Sequence, residues 1–220
     1  MTTALTKESP IKSLIEQAAP KIKSVLASHV NSERFVRMAV FNITRVPSLA
    51  KCTPLSLLEC VMESASLGLN IGGSSGECYA VPYGDKATFI LGYRGMVSLA
   101  RRSGEIATIQ AECVRFGDEF DYEYGLDMKF RHKPIADAEA AITHVWAMAK
   151  FKEAGVYQFV VMTKDQVDKI MKRSRASSNG PWVTDYAEMA KKTAVRRLAK
   201  MLPLTPEAAE AFDKSDTAEY

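Results

Sequence analysis

Between Lys164 and Lys200 the chain carries ten basic and four acidic residues, a local charge of +6 against +3 for all 220 residues. Positive charge gathered in one stretch suits a partner that is a polyanion. Lys172, Arg173 and Arg175 close a first basic run, and Lys191, Lys192, Arg196, Arg197 and Lys200 form a second. Asn179 lies in the polar hinge Ser177-Ser178-Asn179-Gly180-Pro181 between them. A further set, Tyr93, Arg94, Arg101 and Arg102, joins an aromatic ring to three guanidinium groups. Such a ring can stack a base while the cations hold phosphates. The plainer reading is a tyrosine packed on a sheet beside solvated arginines, and the two readings stand level.

Other chemistry is weaker. Asp118, Glu119, Asp121 and Glu123 cluster near one hairpin tip. Four carboxylates there could serve a two-metal nuclease. They read better as a solvated turn or as a patch complementary to a neighbouring subunit. Cys52, Cys60, Cys78 and Cys113 include no C-x-x-C pair and read as free thiols in a reducing compartment. The three histidines stand too far apart for zinc spacing. Gly72, Gly73 and Gly76 lack a following G-K-[ST] and lead into a strand, so they form a turn and no phosphate loop. No ATP site and no cofactor are expected.

The elements that must position these groups follow from periodicity. In the second basic run Thr184 can cap a helix that Pro203 stops. At about 100° per residue, Tyr186, Met189, Ala190, Ala194, Leu198 and Met201 share an apolar arc. Lys192, Arg196 and Lys200 then fall on the opposite rib as a cationic edge, while Arg197 projects into the arc and needs a carboxylate or an anion. Trp182 reads as a core anchor or as a base-stacking platform, the anchor being the expected one. Upstream, Ile11 to about Val46 is helical with a break at Pro20, and Asn31 or Ser32 caps its second part. Thr53-Pro54 opens a third helix that Gly68 ends. Strands follow: a hairpin over Cys78–Pro82 and Ala87–Leu91, a long strand from Glu105 to Phe120, another from Met128 to His132, and a hairpin of Ala140–Lys150 with Val156–Met162. A short helix runs from Gly92 to Gly104.

The expected fold is α+β: an antiparallel sheet of about five strands with long hairpins, packed by N-terminal and C-terminal helices. Residues 1–70 read as a helical oligomerisation region, 71–202 as a sheet-and-helix binding core, and 203–220 as an acidic tail. From Thr205 that tail has five acids and one lysine, and a further C-terminal segment is expected to be missing. A hydrophobic content of 47% with 25% charged residues is ordinary for a globular protein. No apolar run reaches the roughly 18 residues of a membrane span, and Met1–Pro10 has no export signal.

Several stretches together resemble the RecT family of phage single-strand annealing proteins, related to the Red-beta recombinases. They are Tyr79-Ala80-Val81-Pro82-Tyr83, Gly92-Tyr93-Arg94-Gly95-Met96 with Leu99 to Gly104, and Pro181-Trp182 with Glu188 to Thr193 and Arg196-Arg197-Leu198. The resemblance covers roughly Ile11 to Leu202. It implies ATP-independent binding of single-stranded DNA and annealing of complementary strands in homologous recombination, with no bond chemistry. It also implies rings or helical filaments of the chain itself, binding of the annealed duplex, a phage exonuclease as partner, contact with the host single-strand-binding protein through the tail, and a cytoplasmic site of action. The alternatives are a single-strand-binding protein that coats without annealing and a metal-dependent nuclease.

Overall fold

The computed structural model describes residues 10–26, 30–135, 137–178 and 180–219. In chain order the helices are α1 (Pro10–Gln17), α2 (Ala19–Val25), α3 (Ser32–Thr44), α4 (Pro54–Ser66), α5 (Tyr93–Arg101), α6 (Lys164–Arg173), α7 (Pro181–Thr184), α8 (Tyr186–Ala199) and α9 (Pro206–Glu219). The strands are β1 (Cys78–Tyr83), β2 (Lys86–Leu91), β3 (Ile106–Arg115), β4 (Glu119–Glu123), β5 (Lys129–Lys133), β6 (Ile142–Phe151) and β7 (Tyr157–Thr163). The α+β class and the antiparallel hairpins hold. The strands, however, form three small sheets, β1–β2, β3–β6–β7 and β4–β5, where one sheet of about five was expected. Among the described residues no helix is long and apolar enough to cross a membrane.

The chain divides into two compact units: Met1–Leu99 with Pro206–Ala218, and Ala100–Thr205 with Glu219–Tyr220. In the first, Pro20 sits in the first turn of α2, where its missing N–H costs nothing, and so marks the break after α1. Asn31 caps α3, its Oδ1 accepting from Arg34 N at 2.8 Å. Thr53 occupies the N-cap of α4, but its hydroxyl donates to Ser56 Oγ at 3.0 Å instead of serving the helix backbone. Ile15, Ile22, Leu57, Val61, Leu91 and Met96 fill the core. Two glycines of the Gly92-Tyr93-Arg94-Gly95 motif have a packing reason. A Cβ at Gly92 would lie 2.2 Å from Gly76 O, and one at Gly95 2.1 Å from Glu77 O. Only a bare Cα lets the start of α5 approach the glycine-rich loop so closely.

Residues 206–219, grouped by composition as an acidic tail, form α9. Ala208, Ala211, Phe212 and Ser215 recur at three- and four-residue spacing and are buried. Ser215 Oγ accepts from Leu91 N at 3.1 Å, and Lys214 Nζ meets Glu63 Oε1 at 3.4 Å. The acids of α9 lie mainly on its exposed side, which is why composition alone hides the helix.

In the second unit β6 is the central strand, flanked by β3 and β7. Its register pairs Ala147 with Ala111 and Val160, and Trp146 with Glu112 and Val161. Alternation turns Val145, Ala147 and Ala149 to one face, where they are buried with Ala190, Ala194 and Leu198 of α8. Trp146 and Phe159 lie on the other face, and Phe130 of β5 packs on both with ring centroids 4.9 and 5.1 Å away. A capping box opens α6: Thr163 Oγ1 accepts from Gln166 N at 3.3 Å and Gln166 Oε1 from Thr163 N at 3.2 Å.

The long strand expected over Glu105–Phe120 breaks at Gly117, whose φ is 102°, and the acidic stretch beyond it is a strand where a solvated turn was expected. There β4 pairs with the basic β5. Glu119 meets Arg131 Nη2 at 2.9 Å and Lys133 Nζ at 3.2 Å, and Glu123 meets Lys129 Nζ at 2.9 Å. Asp118 does something else. Its buried carboxylate accepts from Arg115 N (2.8 Å), Ile135 N (3.0 Å) and His132 Nε2 (3.0 Å). His132 Nδ1 accepts from Trp146 Nε1 at 2.9 Å, so Nε2 is the nitrogen that donates. This chain ties the β4–β5 hairpin to the sheet. Asp118→Ala leaves three donors unserved, and urea denaturation is expected to show a loss of about 3 kcal/mol. Glu123→Ala, which removes only an exposed pair, is expected to cost less than about 0.5 kcal/mol.

Candidate nucleic-acid interface

The groups that sequence singles out are not equally available. On α5, Tyr93 is half-buried and Arg94 is exposed, its Nη1 donating to Ser74 O at 3.4 Å beside the glycine-rich loop. Arg101, which ends the same helix, and Arg102, just beyond it, are exposed. So are Lys172, Arg173 and Arg175, in and just after the last turn of α6. Asn179 lies outside the described residues. Trp182 is 4% exposed, with its ring 6.0 Å from that of Tyr186, and is a core anchor.

Helix α8 differs most from expectation. Lys192 and Arg196, predicted on an outer cationic rib, are 8% and 6% exposed. Both pair with one carboxylate, Glu219: Lys192 through Nζ, and Arg196 through Nη2 at 2.9 Å. Burial pulls the Lys192 ammonium below the usual lysine value, with Glu219 acting against that pull. Lys191 is half-buried and paired with Glu188 at 2.5 Å and Glu112 at 3.9 Å. Burial, the largest effect, works against its charge as well, but the hydrogen bond to Glu188 and the charges of Glu112 and Glu188 together outweigh it and the pKa rises. Arg197, predicted inside the apolar arc, is exposed, and so are Lys200 and Met201. The reason is that α8 is covered on nearly every side, so its polar positions divide by partner and no longer by arc. A buried cation needs a counter-charge. Glu219 supplies it from a stretch that composition alone read as an acidic tail. Nor does Thr184 cap α8: it ends α7, Asp185 stands at the cap, and the Thr184 hydroxyl donates to Asp185 Oδ2 at 2.5 Å.

Arg197 opens onto a cleft of about 550 Å³ lined also by Tyr122, Tyr124, Gln158, Gln166 and Met201. The Tyr124 ring stacks on buried Phe159, with centroids 4.9 Å apart and planes inclined by 14°, and its hydroxyl accepts from Val161 N at 2.8 Å. Burial pushes that hydroxyl above the ordinary tyrosine value, against the opposing pull of Val161 N–H and Arg197. Tyr122 and Tyr124 went unnoticed in the sequence because they alternate with Asp121 and Glu123. The period of two was the available signal, and the charge of the stretch masked it. At the start of α6, Lys164 Nζ and Tyr186 Oη hold Asp168 at 2.5 and 2.6 Å. Burial alone would raise the Asp168 pKa, but these hydrogen bonds outweigh it and hold the carboxyl below the usual aspartate range. The four cysteines are buried free thiols, and burial raises Cys113 to about 11.

These features sit on a sequence with known relatives. The model of the RecT family matches residues 33–219. The chain belongs to the RecT family. It is 43% identical over 223 residues to Protein RecT of Escherichia coli (strain K12), an alignment covering 97% of this chain and 82% of that protein. It is 31% identical over 174 residues to a Bacillus subtilis (strain 168) protein named YqaK and described as uncharacterized, covering 76% of this chain and 58% of the relative. Membership in the RecT family carries a general role in recombination through single-strand annealing.

Two outcomes follow from the partners of α6 and α8. Glu219→Ala leaves Lys192 and Arg196 buried without their shared carboxylate and is expected to cost about 3 to 5 kcal/mol in a denaturant melt. Asp168 has a lowered folded-state pKa, so its contribution is present above the ordinary value of 3.8 and lost as pH falls through the folded one. The stability gap between wild type and Asp168→Asn is therefore expected at pH 7 and should close below that value, as read by urea melts across pH.

Proposed function

We propose that this chain binds single-stranded DNA on its exposed cations and anneals complementary strands without ATP or bond chemistry. The observation that carries the reading is the match to the RecT family over residues 33–219. The charge distribution supports it. Arg101, Arg102, Lys172, Arg173, Arg175, Arg197 and Lys200 are exposed in the unit that carries the three-stranded sheet, and Arg94 is exposed in the other. Cations on a DNA surface release condensed counterions and remove the repulsion that keeps two anionic backbones apart. Base identity is then read by Watson–Crick pairing, since phosphate contacts carry no sequence information. Lys191 joins the phosphate contacts by exchanging its surface carboxylates. Lys192 and Arg196 serve from within by fixing α8 and Glu219.

Self-association into a ring or filament belongs to the same reading. Avidity along the strand then exceeds the affinity of any one copy. Helix α3 offers an apolar stripe for it: Met38 and Phe41 are 41% and 49% exposed, and Arg45 lies 4.8 Å over the Phe41 ring. An exonuclease would make the single strands, a host single-strand-binding protein would hold them, and the setting would be cytoplasmic.

The test is annealing of two labelled complementary oligonucleotides in nucleotide-free buffer with EDTA. Paired product is expected. Coated but unpaired strands would mark a coating protein, and strands shortened when magnesium is restored would mark a nuclease. Lys172→Glu with Arg173→Glu is expected to weaken single-strand binding about tenfold or more. It should also reduce the log–log salt slope by about 0.7 for each phosphate that is no longer neutralised.

A further inference from the structure

We propose that the cleft between Tyr124 and Arg197 is a nucleobase pocket. One base of the bound strand leaves the stack of its neighbours and lies on the outer face of the Tyr124 ring, while Arg197 holds its phosphate. The proposal rests on the single-stranded DNA reading above and adds the part of the strand that this site takes.

Tyr124 has the properties of a platform. Its inner face is backed by Phe159, which is 1% exposed and packed in turn by Phe130. Its hydroxyl is anchored on Val161 N, so the ring is fixed at both ends. Yet the residue is 53% exposed. A rigid, half-bare ring offers stacking at little entropic cost, and stacking suits any base because every base has a π-face. Tyr122 stands edge-on to it, 5.5 Å away and inclined by 74°, and forms a wall. The size fits as well: about 550 Å³ is within the range of small-ligand sites.

Charge fits the phosphate. Arg197 is exposed and makes no ion pair among the described residues, unlike Lys191, Lys192 and Arg196 on the same helix. The polar lining does not select a base. The Gln158 amide donates to the Met201 sulfur at 3.5 Å, a weak bond readily exchanged. An amide offers both donor and acceptor, so it can meet any Watson–Crick edge. Strand β7, which lines the cleft, is a sheet edge, but Tyr124 already occupies the outward N–H of Val161. An added peptide strand would have to displace it, whereas a base would not.

The test uses the full chain and an oligonucleotide carrying 2-aminopurine among thymines, with a separate end label for anisotropy. Wild type is expected to bind and, at saturation, to quench 2-aminopurine by stacking. Tyr124→Ala should lose the quenching and bind about tenfold more weakly. Tyr124→Phe should keep the quenching. Arg197→Ala should keep it too but lower the salt slope by about 0.7. Binding with unchanged quenching in Tyr124→Ala overturns the pocket alone. Absence of binding by wild type overturns the DNA reading and the pocket together. Should Tyr124→Ala lose its circular dichroism signal, the decision passes to wild type photocrosslinked to a 5-iodouracil oligonucleotide. Crosslinked peptides carrying Tyr122 or Tyr124 sustain the pocket, and crosslinks confined to other peptides overturn it.

Discussion

The Asp118 carboxylate decides where the β4–β5 hairpin lies, and the candidate interface of that unit depends on the hairpin. A buried charge persists only when donors surround it. Asp118 collects two backbone N–H groups and the His132 ring, and His132 collects Trp146. Those bonds hold the hairpin across one face of the β3–β6–β7 sheet instead of letting it extend the sheet. Phe130 then reaches Trp146 and Phe159, and Tyr124 stacks on Phe159. One acid that sequence would count with the surface carboxylates is therefore the fastening beneath an aromatic platform. Its neighbours Glu119 and Glu123 only balance the basic strand opposite.

Helix α8 shows the same division among cations. Lys191, Lys192, Arg196 and Arg197 are nearly consecutive, yet they do different work. Two are buried on Glu219, one is half-buried between Glu188 and Glu112, and one faces solvent. Burying Lys192 and Arg196 costs desolvation that their shared pairing with the Glu219 carboxylate offsets, so these residues fix a helix more than they attract a ligand. On the DNA-binding reading proposed above, electrostatic attraction of the strand falls to the exposed set, whose interactions salt screens.

Much of this was legible in the residues. Helix starts at Asn31 and Pro54, the hairpin about Gly84, the shift from a period near 3.6 to one of two, and the order of elements all follow from local chemistry. Those signals act over a few residues. Three features were hidden because they depend on partners far away in sequence. Helix α9 looked like an acidic tail until Ala208, Ala211, Phe212 and Ser215 met a core. Lys192 and Arg196 of the expected outer rib are buried because Glu219, 27 residues from Lys192, meets them, while Lys200 stays exposed as expected. The separation of β4–β5 from the three-stranded sheet followed from Gly117 and from Asp118 bonding Ile135, 17 residues on. Tyr122 and Tyr124 were visible as letters, but only the stack on Phe159 makes one of them a platform.

An annealing protein must hold a strand without keeping it. Stacking of a base on an aromatic ring is worth about 1 to 3 kcal/mol. A base-pair step contributes roughly 1.4 kcal/mol in a duplex. The two are comparable, so one base on the proposed Tyr124 platform would be held against thermal motion but surrendered once several neighbouring pairs form together. A deeper site with a buried, fully paired polar lining would discriminate among bases and would trap the single strand as well. The half-exposed Tyr124, the exchangeable Gln158 amide and the exposed Arg197 avoid both outcomes. On that reading, choice of sequence is left to the second strand, and the protein would contribute charge and a surface from which bases can be released.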